Sequence, residues 1–507
     1  MRSAWSRKPA GRAFSSALVS RSHALVFVAL FAALILLHLP YLSLPYFWDE
    51  LGQFVPAALD ILKDNAWVPH RTVPNVHPPG VMAYLALVWK AAGYSVVTTR
   101  IAMLAVAAAG CYATFLLAIR LCRGLPGAPA FMSVGLLIAT PLFYMQALMA
   151  QLDMPAMTLT VVAMLLFVER RFAWCAAACT ALVLVKETGA VAPALFAAWL
   201  LWRDRDWKRA LPFAIPFIAL AVWLFVLWRT TGHVLGDPGF AHYNVGYSLH
   251  PVRAGLTVLR RLYYLFLADF RWIGAIAIWL GLRYTPWFKT PEWLLIGLFS
   301  AGHVALVSLF GGAALERYLL PVFPFLYIAV ATSWAGMRQP WRRLSEFGLL
   351  AGLFAGLYWN PPFPFPLENN LAMADFVELQ KKTAEYLDDN MPRAKVASAW
   401  PYTGALRNPE LGFTRVGYRV VETNDFHEKN VIDACKADPP DVLIVYSRTW
   451  EPHWGVLGNA WVTGLLRRYY DYERQISSEQ VQSDLGMLPV LKWEQRGQFI
   501  ELFTAPR

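Results

Sequence analysis

Residues 24–50 read ALVFVALFAALILLHLPYLSLPYFWDE: an apolar run, two prolines, and then two adjacent carboxylic acids, Asp49 and Glu50. At about 1.5 Å of rise per residue, the apolar part is long enough to cross roughly 30 Å of hydrocarbon. Arg2, Arg7, Lys8, Arg12 and Arg21 precede it, a basic start that superficially suggests a secretory signal. No small-x-small cleavage site follows, and the run leads straight into Pro40 and Pro45, so it reads as a retained anchor.

The pattern recurs outward from this anchor. Phe131 to Ala150, Leu211 to Trp228 and Trp293 to Phe310 are equally apolar, and the 507-residue chain is 57% hydrophobic, 15% aromatic and only 16% charged. That composition excludes an ordinary soluble domain. The formal net charge is +11, but the basic residues fall in short clusters between apolar runs. Such clusters are what the positive-inside bias produces, so the expected partner is membrane lipid and not nucleic acid. Of the five cysteines, Cys111, Cys122, Cys175 and Cys179 lie in or beside membrane segments. Cys435 stands alone in the C-terminal part, which therefore has no internal disulfide.

Charge also sets the topology. With residues 1–23 as a cytoplasmic basic N-terminus, and with residues 79–94 lying on the outer surface as an interfacial helix, the following cytoplasmic turns hold Arg120 and Arg123, Arg170 and Arg171, then Arg203, Arg205, Lys208 and Arg209. Arg283 and Lys289, then Arg338, Arg342 and Arg343 continue the series, and Arg260-Arg261 is the main exception. The expectation is a polytopic α-helical membrane protein in the cell (inner) membrane. It has about eleven spans, near 24–44, 98–119, 131–150, 155–169, 172–186, 190–203, 209–228, 263–282, 293–311, 318–335 and 344–359. The outer side receives the loop 45–97, the turns near Asp153, Lys186 and Arg317, and the loop 230–262. A membrane domain of residues 24–360 then ends in a proline-rich stretch, Asn360 to Pro366, that cannot continue a helix. Residues 361–507 form a small extracytoplasmic α/β domain, with helical spacing over Ala372 to Asp389 and strand-like runs at Lys395 to Ala399, Asp441 to Tyr446 and Gln498 to Thr504.

Charges in or beside apolar helices cost about 2.5–3.5 kcal/mol on insertion scales, so those that persist need a reason. On the outer side they are Asp49 and Glu50, His77, Arg100, Asp153, Lys186 and Glu187, and Glu316 and Arg317. Asp49 and Asp153 each precede a helix and read equally as N-caps or as working carboxylates. His77, in His77-Pro78-Pro79-Gly80, opens the interfacial helix where a phosphate could be met, or is a surface residue. Lys186-Glu187 and Glu316-Arg317 read equally as neutralising pairs. His233, Asp237, His242 and His250 lack metal-site spacing and fit substrate contact or solvation.

The order of these motifs resembles the GT-C glycosyltransferases of the protein-mannosyltransferase and lipid A aminoarabinose-transferase type. Trp48-Asp49-Glu50, followed by Leu59-Asp60-Ile61-Leu62, Trp67-Val68-Pro69-His70 and His77-Pro78-Pro79, is similar to that family's first outer loop. Gln151-Leu152-Asp153-Met154-Pro155, Val185-Lys186-Glu187 and Glu316-Arg317-Tyr318-Leu319-Leu320-Pro321 match later landmarks, so the resemblance covers residues 24 to about 335. It implies transfer of a sugar from a polyprenyl-phosphate donor to a lipid, glycan or protein acceptor on the outer face. Asp49, with Glu50 beside it, would be the catalytic acid group and Asp153 an assisting one. His77, Arg100, Lys186 and Arg317 would meet the donor phosphate. The family's aminoarabinose transferases carry Lys where this chain has His77. The resemblance implies no definite cofactor and leaves a divalent metal open. A lipid-linked glycan ligase or polymerase is the nearer alternative. A transporter or flippase is the more distant one, and it would call for inverted repeats and interrupted mid-membrane helices that the sequence lacks.

Overall fold

Proline sets some of the helix breaks here, and a kink at Asp269 and Phe270 forms without one. The computed structural model describes residues 16–122, 124–125, 129–359, 368–448 and 459–506, with side chains from residue 23 onward. The basic residues before position 16, Arg123 and the proline-rich stretch lie outside the described residues.

Each of the eleven expected spans falls on helical structure. Five segments are long and apolar enough to cross a membrane unaided: His23–Tyr41, Val96–Leu121, Trp207–Thr231, Pro291–Leu309 and Glu316–Ala335. Pro251–Phe266 and Ala268–Tyr284 are apolar enough only when taken together, and they meet at a 48° bend that makes them a broken span or a re-entrant pair. Pro129–Ala139, Asp153–Val168, Phe172–Val185 and Glu187–Trp202 are apolar but shorter, and Gln339–Tyr358 carries Arg342, Arg343 and Glu346. The expected span 131–150 is split at Pro141, which lacks the N–H needed to continue the helix, and residues after Gln146 turn instead.

Small residues let the central helices approach closely. A Cβ added at Gly110 of Val96–Leu121 would stand 2.6 Å from the Thr158 hydroxyl of Asp153–Val168, too near for any larger residue. The interfacial helix is present as Gly80–Ala92 and buries Val81, Met82, Leu85, Ala86 and Trp89 while leaving Leu87 exposed. Thr99 ties it down by accepting from the Trp89 indole at 3.0 Å.

The loop expected over 230–262 is corrected by the structure, which forms the helix Pro251–Phe266 there. Its polarity is inverted. Thr257, Arg261, Tyr264 and Leu265 share the buried face, while Leu256, Leu259, Leu262 and Tyr263 are exposed. Arg261 donates to the carbonyls of Val307 (2.7 Å) and Leu315 (3.1 Å). Arg260 pairs with Glu316. The charge exception is thereby accounted for, because these arginines serve internal acceptors and not a membrane-surface bias.

Short antiparallel turns gather the basic clusters at one end of the bundle. Arg170 approaches Asp204 (3.9 Å), and Gly336 packs on Trp287 and Thr285. Trp174, Trp202, Trp207 and Trp341 are all exposed at these same turns. Asp49, Asp153, Lys186 and Arg317 lie at the opposite end.

The C-terminal domain is a five-stranded mixed sheet, β1 (Lys395–Ala399), β2 (Arg419–Thr423), β3 (Val442–Tyr446), β4 (Leu488–Gln495) and β5 (Gln498–Thr504), in the order β2-β1-β3-β5-β4. β1 runs parallel to β2 and β3, and β5 antiparallel to β3 and β4. The fully buried β3 is central, as its unbroken Val-Leu-Ile-Val-Tyr requires. The helix Ala372–Asn390 packs on this sheet.

The domain sits directly on the first outer loop. Trp400 meets Trp48 edge to face with centroids 6.2 Å apart, Phe376 meets Phe47, and Glu410 pairs with Lys63 while its carbonyl accepts from Tyr94. A Cβ at Gly52 would fall 2.2 Å from the Trp400 ring. Gly52→Val is therefore expected to lower stability by about 1–3 kcal/mol through overpacking, and to speed proteolytic release of the C-terminal domain in a time course against wild type. Unchanged proteolysis would mean that the two parts are not locked at this contact.

Candidate active site

The first outer loop turns on Trp48, whose backbone adopts φ 45°, a left-handed conformation that costs a bulky residue about 1–3 kcal/mol and tends to persist at functional sites. One π-helical turn, Glu50–Phe54, follows it. As a result, the carboxylates of Asp49 and Glu50 separate. Asp49 makes no side-chain capping bond to this turn, and Leu152, not Asp153, holds the cap position of the helix at Asp153. The capping alternative thus falls away for both acids.

Glu50 points inward and is completely buried. It pairs with Arg100 and accepts from the backbone N–H groups of Phe47 (2.9 Å) and Ala150 (2.5 Å). Arg100, equally buried, also donates to the carbonyls of Leu44 (3.1 Å), Pro45 (2.8 Å) and Leu148 (3.0 Å). A guanidinium so fully engaged has little left for a donor phosphate. The pair ties the end of the first span, the outer loop, the second span and the turn before Asp153 together.

Asp49 points the other way and stays partly open. It pairs with Nη2 of Arg317, whose Nε lies 3.0 Å from Asp153 Oδ2 and whose Nη1 donates to Glu368 Oε2 at 2.6 Å. The other Asp153 oxygen takes the Lys186 ammonium, which stands 4.1 Å from the centre of the Tyr318 ring. Lys186 occupies an extended residue between Phe172–Val185 and the turn Glu187–Ala190, so its side chain and that of Glu187 diverge. Glu187 pairs with His77, Nδ1 to Oε2 at 2.9 Å. The suggested neighbour pairs Lys186-Glu187 and Glu316-Arg317 are therefore corrected: each of the four charges pairs elsewhere.

Asp49, Asp153, Lys186 and Arg317 form one contiguous network, with His77 and Glu187 beside it. Glu50 and Arg100 form a separate one. Glu368, which begins the described part of the C-terminal domain, was not anticipated, because it follows the proline-rich stretch and belongs to no motif. Asp237 caps a short helix by accepting from Phe240 N, and the His250 ring accepts from Val252 N. Among the described residues, Asp60, Asp64 and His70 are the one grouping with metal-ligand proximity. Arg71 already lies across it, 2.7 Å from Asp60 and 3.0 Å from Asp64, and supplies the countercharge.

A cavity of about 420 Å³ opens beside the network. Its walls are apolar, built from Leu220 and Leu224, Leu306 and Phe310, and Leu235 and Phe240, while His77, Lys186, Glu187, Asn244 and Tyr318 line it with polar groups.

The apolar helical bundle, with its small C-terminal α/β domain seated over a charged cluster, has the GT-C fold, as comparison with solved structures shows. The structure of ArnT from Cupriavidus metallidurans bound to undecaprenyl phosphate aligns with TM-score 0.55 and 12% identity, covering 96% of this chain and 98% of that one. The same protein in its apo state aligns at 0.53 with 12% identity over the same shares. The archaeal oligosaccharyltransferase AglB from Archaeoglobus fulgidus, in complex with an inhibitory peptide and a dolichol-phosphate, aligns at 0.47 with 11% identity over 84% of this chain and 69% of that one. No family model and no curated protein sequence matches.

Removing one partner of a buried ion pair strands the other charge, at about 3–5 kcal/mol. Glu50→Ala is therefore expected to lower thermal stability in detergent sharply, while Asp49→Asn, at a partly open site, lowers it far less. Equal melting temperatures for the two variants would contradict this division between a bracing and a working acid.

Proposed function

We propose that the protein transfers a sugar from a polyprenyl-phosphate donor to a hydroxyl or amine acceptor at the outer membrane surface. The observation that carries this reading is the cavity, whose apolar walls suit a prenyl chain and whose polar lining includes Lys186 and His77, a lysine and a histidine able to meet a phosphate. The likeness to a protein whose structure holds undecaprenyl phosphate supports it.

In this mechanism the acceptor attacks the anomeric carbon directly. The bond from that carbon to the phosphate oxygen breaks, and the departing electrons go to the phosphate, where Lys186 and His77 offset the charge. Asp49 takes the proton released by the acceptor. Asp153 touches neither substrate. It holds Lys186 and Arg317 at a fixed spacing, as Glu50 and Arg100 hold the loop. The sugar and the acceptor's identity are set by surfaces outside these charges.

Purified protein with radiolabelled polyprenyl-phosphate sugars, and membrane extract as the acceptor source, tests the reading by release of polyprenyl phosphate. Asp49→Asn is expected to lose about 10²–10⁴ in turnover with donor affinity kept. Lys186→Met is expected to weaken donor binding by about ten- to a hundredfold. Near-normal turnover in Asp49→Asn rejects the base assignment.

We further place the site and the C-terminal domain on the extracytoplasmic face, because the basic clusters gather at the other end. All five cysteines are buried, so Lys429→Cys gives a single exposed thiol. An impermeant maleimide is expected to label it from outside intact cells, and labelling only after lysis would invert the orientation.

A further inference from the structure

Glu368 joins the network from the one segment that no motif covers. Its Oε2 accepts from Arg317 Nη1, while its Oε1 is buried without a hydrogen-bond partner. Arg317 thus presents each of its three nitrogens to a different carboxylate: Nη2 to Asp49, Nε to Asp153, Nη1 to Glu368. A planar guanidinium held at Nη1 cannot rotate about its own axis, so the hold by Glu368 decides where the edge facing Asp49 lies.

Building on the transfer reading above, we infer that Glu368 is a positioning residue for the reaction: by pairing with Nη1 of Arg317 it fixes the carboxylate of Asp49 at the opposite amino group. Ionised Glu368 shares the positive charge of Arg317 and grips Nη1 as an ion pair. Protonated Glu368 leaves that charge to Asp49 and Asp153 alone.

The surroundings place this exchange near neutrality. Burial pushes the Glu368 carboxyl up, Arg317 opposes it, and Asp49, Asp153 and Glu316 add to the rise, which carries it to about 7. The groups facing it are Arg317, Glu316 and Tyr318 from one turn, Asp49 from the first loop and Asp153 from the span behind. Arg260 neutralises Glu316, and Lys186 neutralises Asp153, one step further out. A carboxyl raised in the folded state binds its proton more tightly there than in the unfolded chain. Its contribution to stability is therefore present at low pH and lost as pH rises from about 4.5 to about 7.

The full-length protein in detergent, assayed by release of polyprenyl phosphate from the donor panel with membrane extract, tests the inference. Wild-type turnover on bound donor is expected to rise through a limb near pH 7. Glu368→Gln keeps an oxygen for Arg317 but no titratable charge. It is expected to lose that limb, to fall on the order of tenfold below wild type at pH 8, and to flatten the decline in melting temperature between pH 5 and 7. The same limb in Glu368→Gln, or a stability difference that does not vary with pH, overturns the inference. Should Glu368→Gln fail to fold, Glu368→Asp decides. One methylene shorter, it should withdraw from Nη1 and lower turnover with donor affinity intact, and wild-type turnover in it overturns the inference. Asp49→Asn in the same assay separates the two levels. Retained turnover there sinks the transfer reading, whereas lost turnover with an unaltered pH profile in Glu368→Gln sinks only the role of Glu368.

Discussion

A buried guanidinium must be neutralised where it stands, and Arg317 meets this constraint with three carboxylates drawn from residues 49, 153 and 368. Those acids come from the first outer loop, the start of a central helix and the entry to the C-terminal domain. None of the three segments can shift without exposing an unbalanced charge in a poorly solvated place. Lys186 extends the arrangement to the cavity through Asp153. The location of the pocket, the position of Asp49 and the seating of the soluble domain all follow from that one cation.

Beside the site, three charge doublets stand in the sequence: Asp49-Glu50, Lys186-Glu187 and Glu316-Arg317. Each time the structure sends them apart. Adjacent residues do not face each other on a helix, and at an extended residue they project to opposite sides. Glu50 braces the scaffold with Arg100, Glu187 orients His77, and Glu316 answers Arg260. Their neighbours Asp49, Lys186 and Arg317 are left to meet one another. In each doublet one charge joins the Arg317 network and the other pairs outside it.

Much of this was legible because hydrophobic length and charge are local properties. The helical regions, the interfacial helix at Gly80–Ala92 and strands β1, β3 and β5 follow from runs of apolar or β-branched residues. Four of the polar residues singled out, Asp49, Asp153, Lys186 and Arg317, do meet. What escaped depends on distant partners. The helix Pro251–Phe266 turns three of its four leucines outward and an arginine inward, the reverse of the soluble pattern, and so reads as loop. Strand β2 carries Arg419 and Glu422 in only five residues, and β4 is largely exposed and opens with a proline at its second position, so neither reads as a buried strand. Glu368 carries no local signal, and only the position of Arg317 gives it a meaning. The pairing of Arg100 with Glu50 was hidden in the same way, because nothing in either neighbourhood indicates that the arginine's donors are already used.

The exposed indoles of Trp174, Trp202, Trp207 and Trp341 prefer the headgroup region, where an apolar ring and a polar N–H are both accommodated. Four of them at the basic end act as a waterline. They resist both sinking and lifting, and the rigid bundle carries that fixed draught to its far end. The height of the cavity mouth above the opposite leaflet then depends on bilayer thickness. A thicker membrane would submerge the mouth and a thinner one would leave it standing clear, so the lipid environment would set how far the cavity stands from the headgroups.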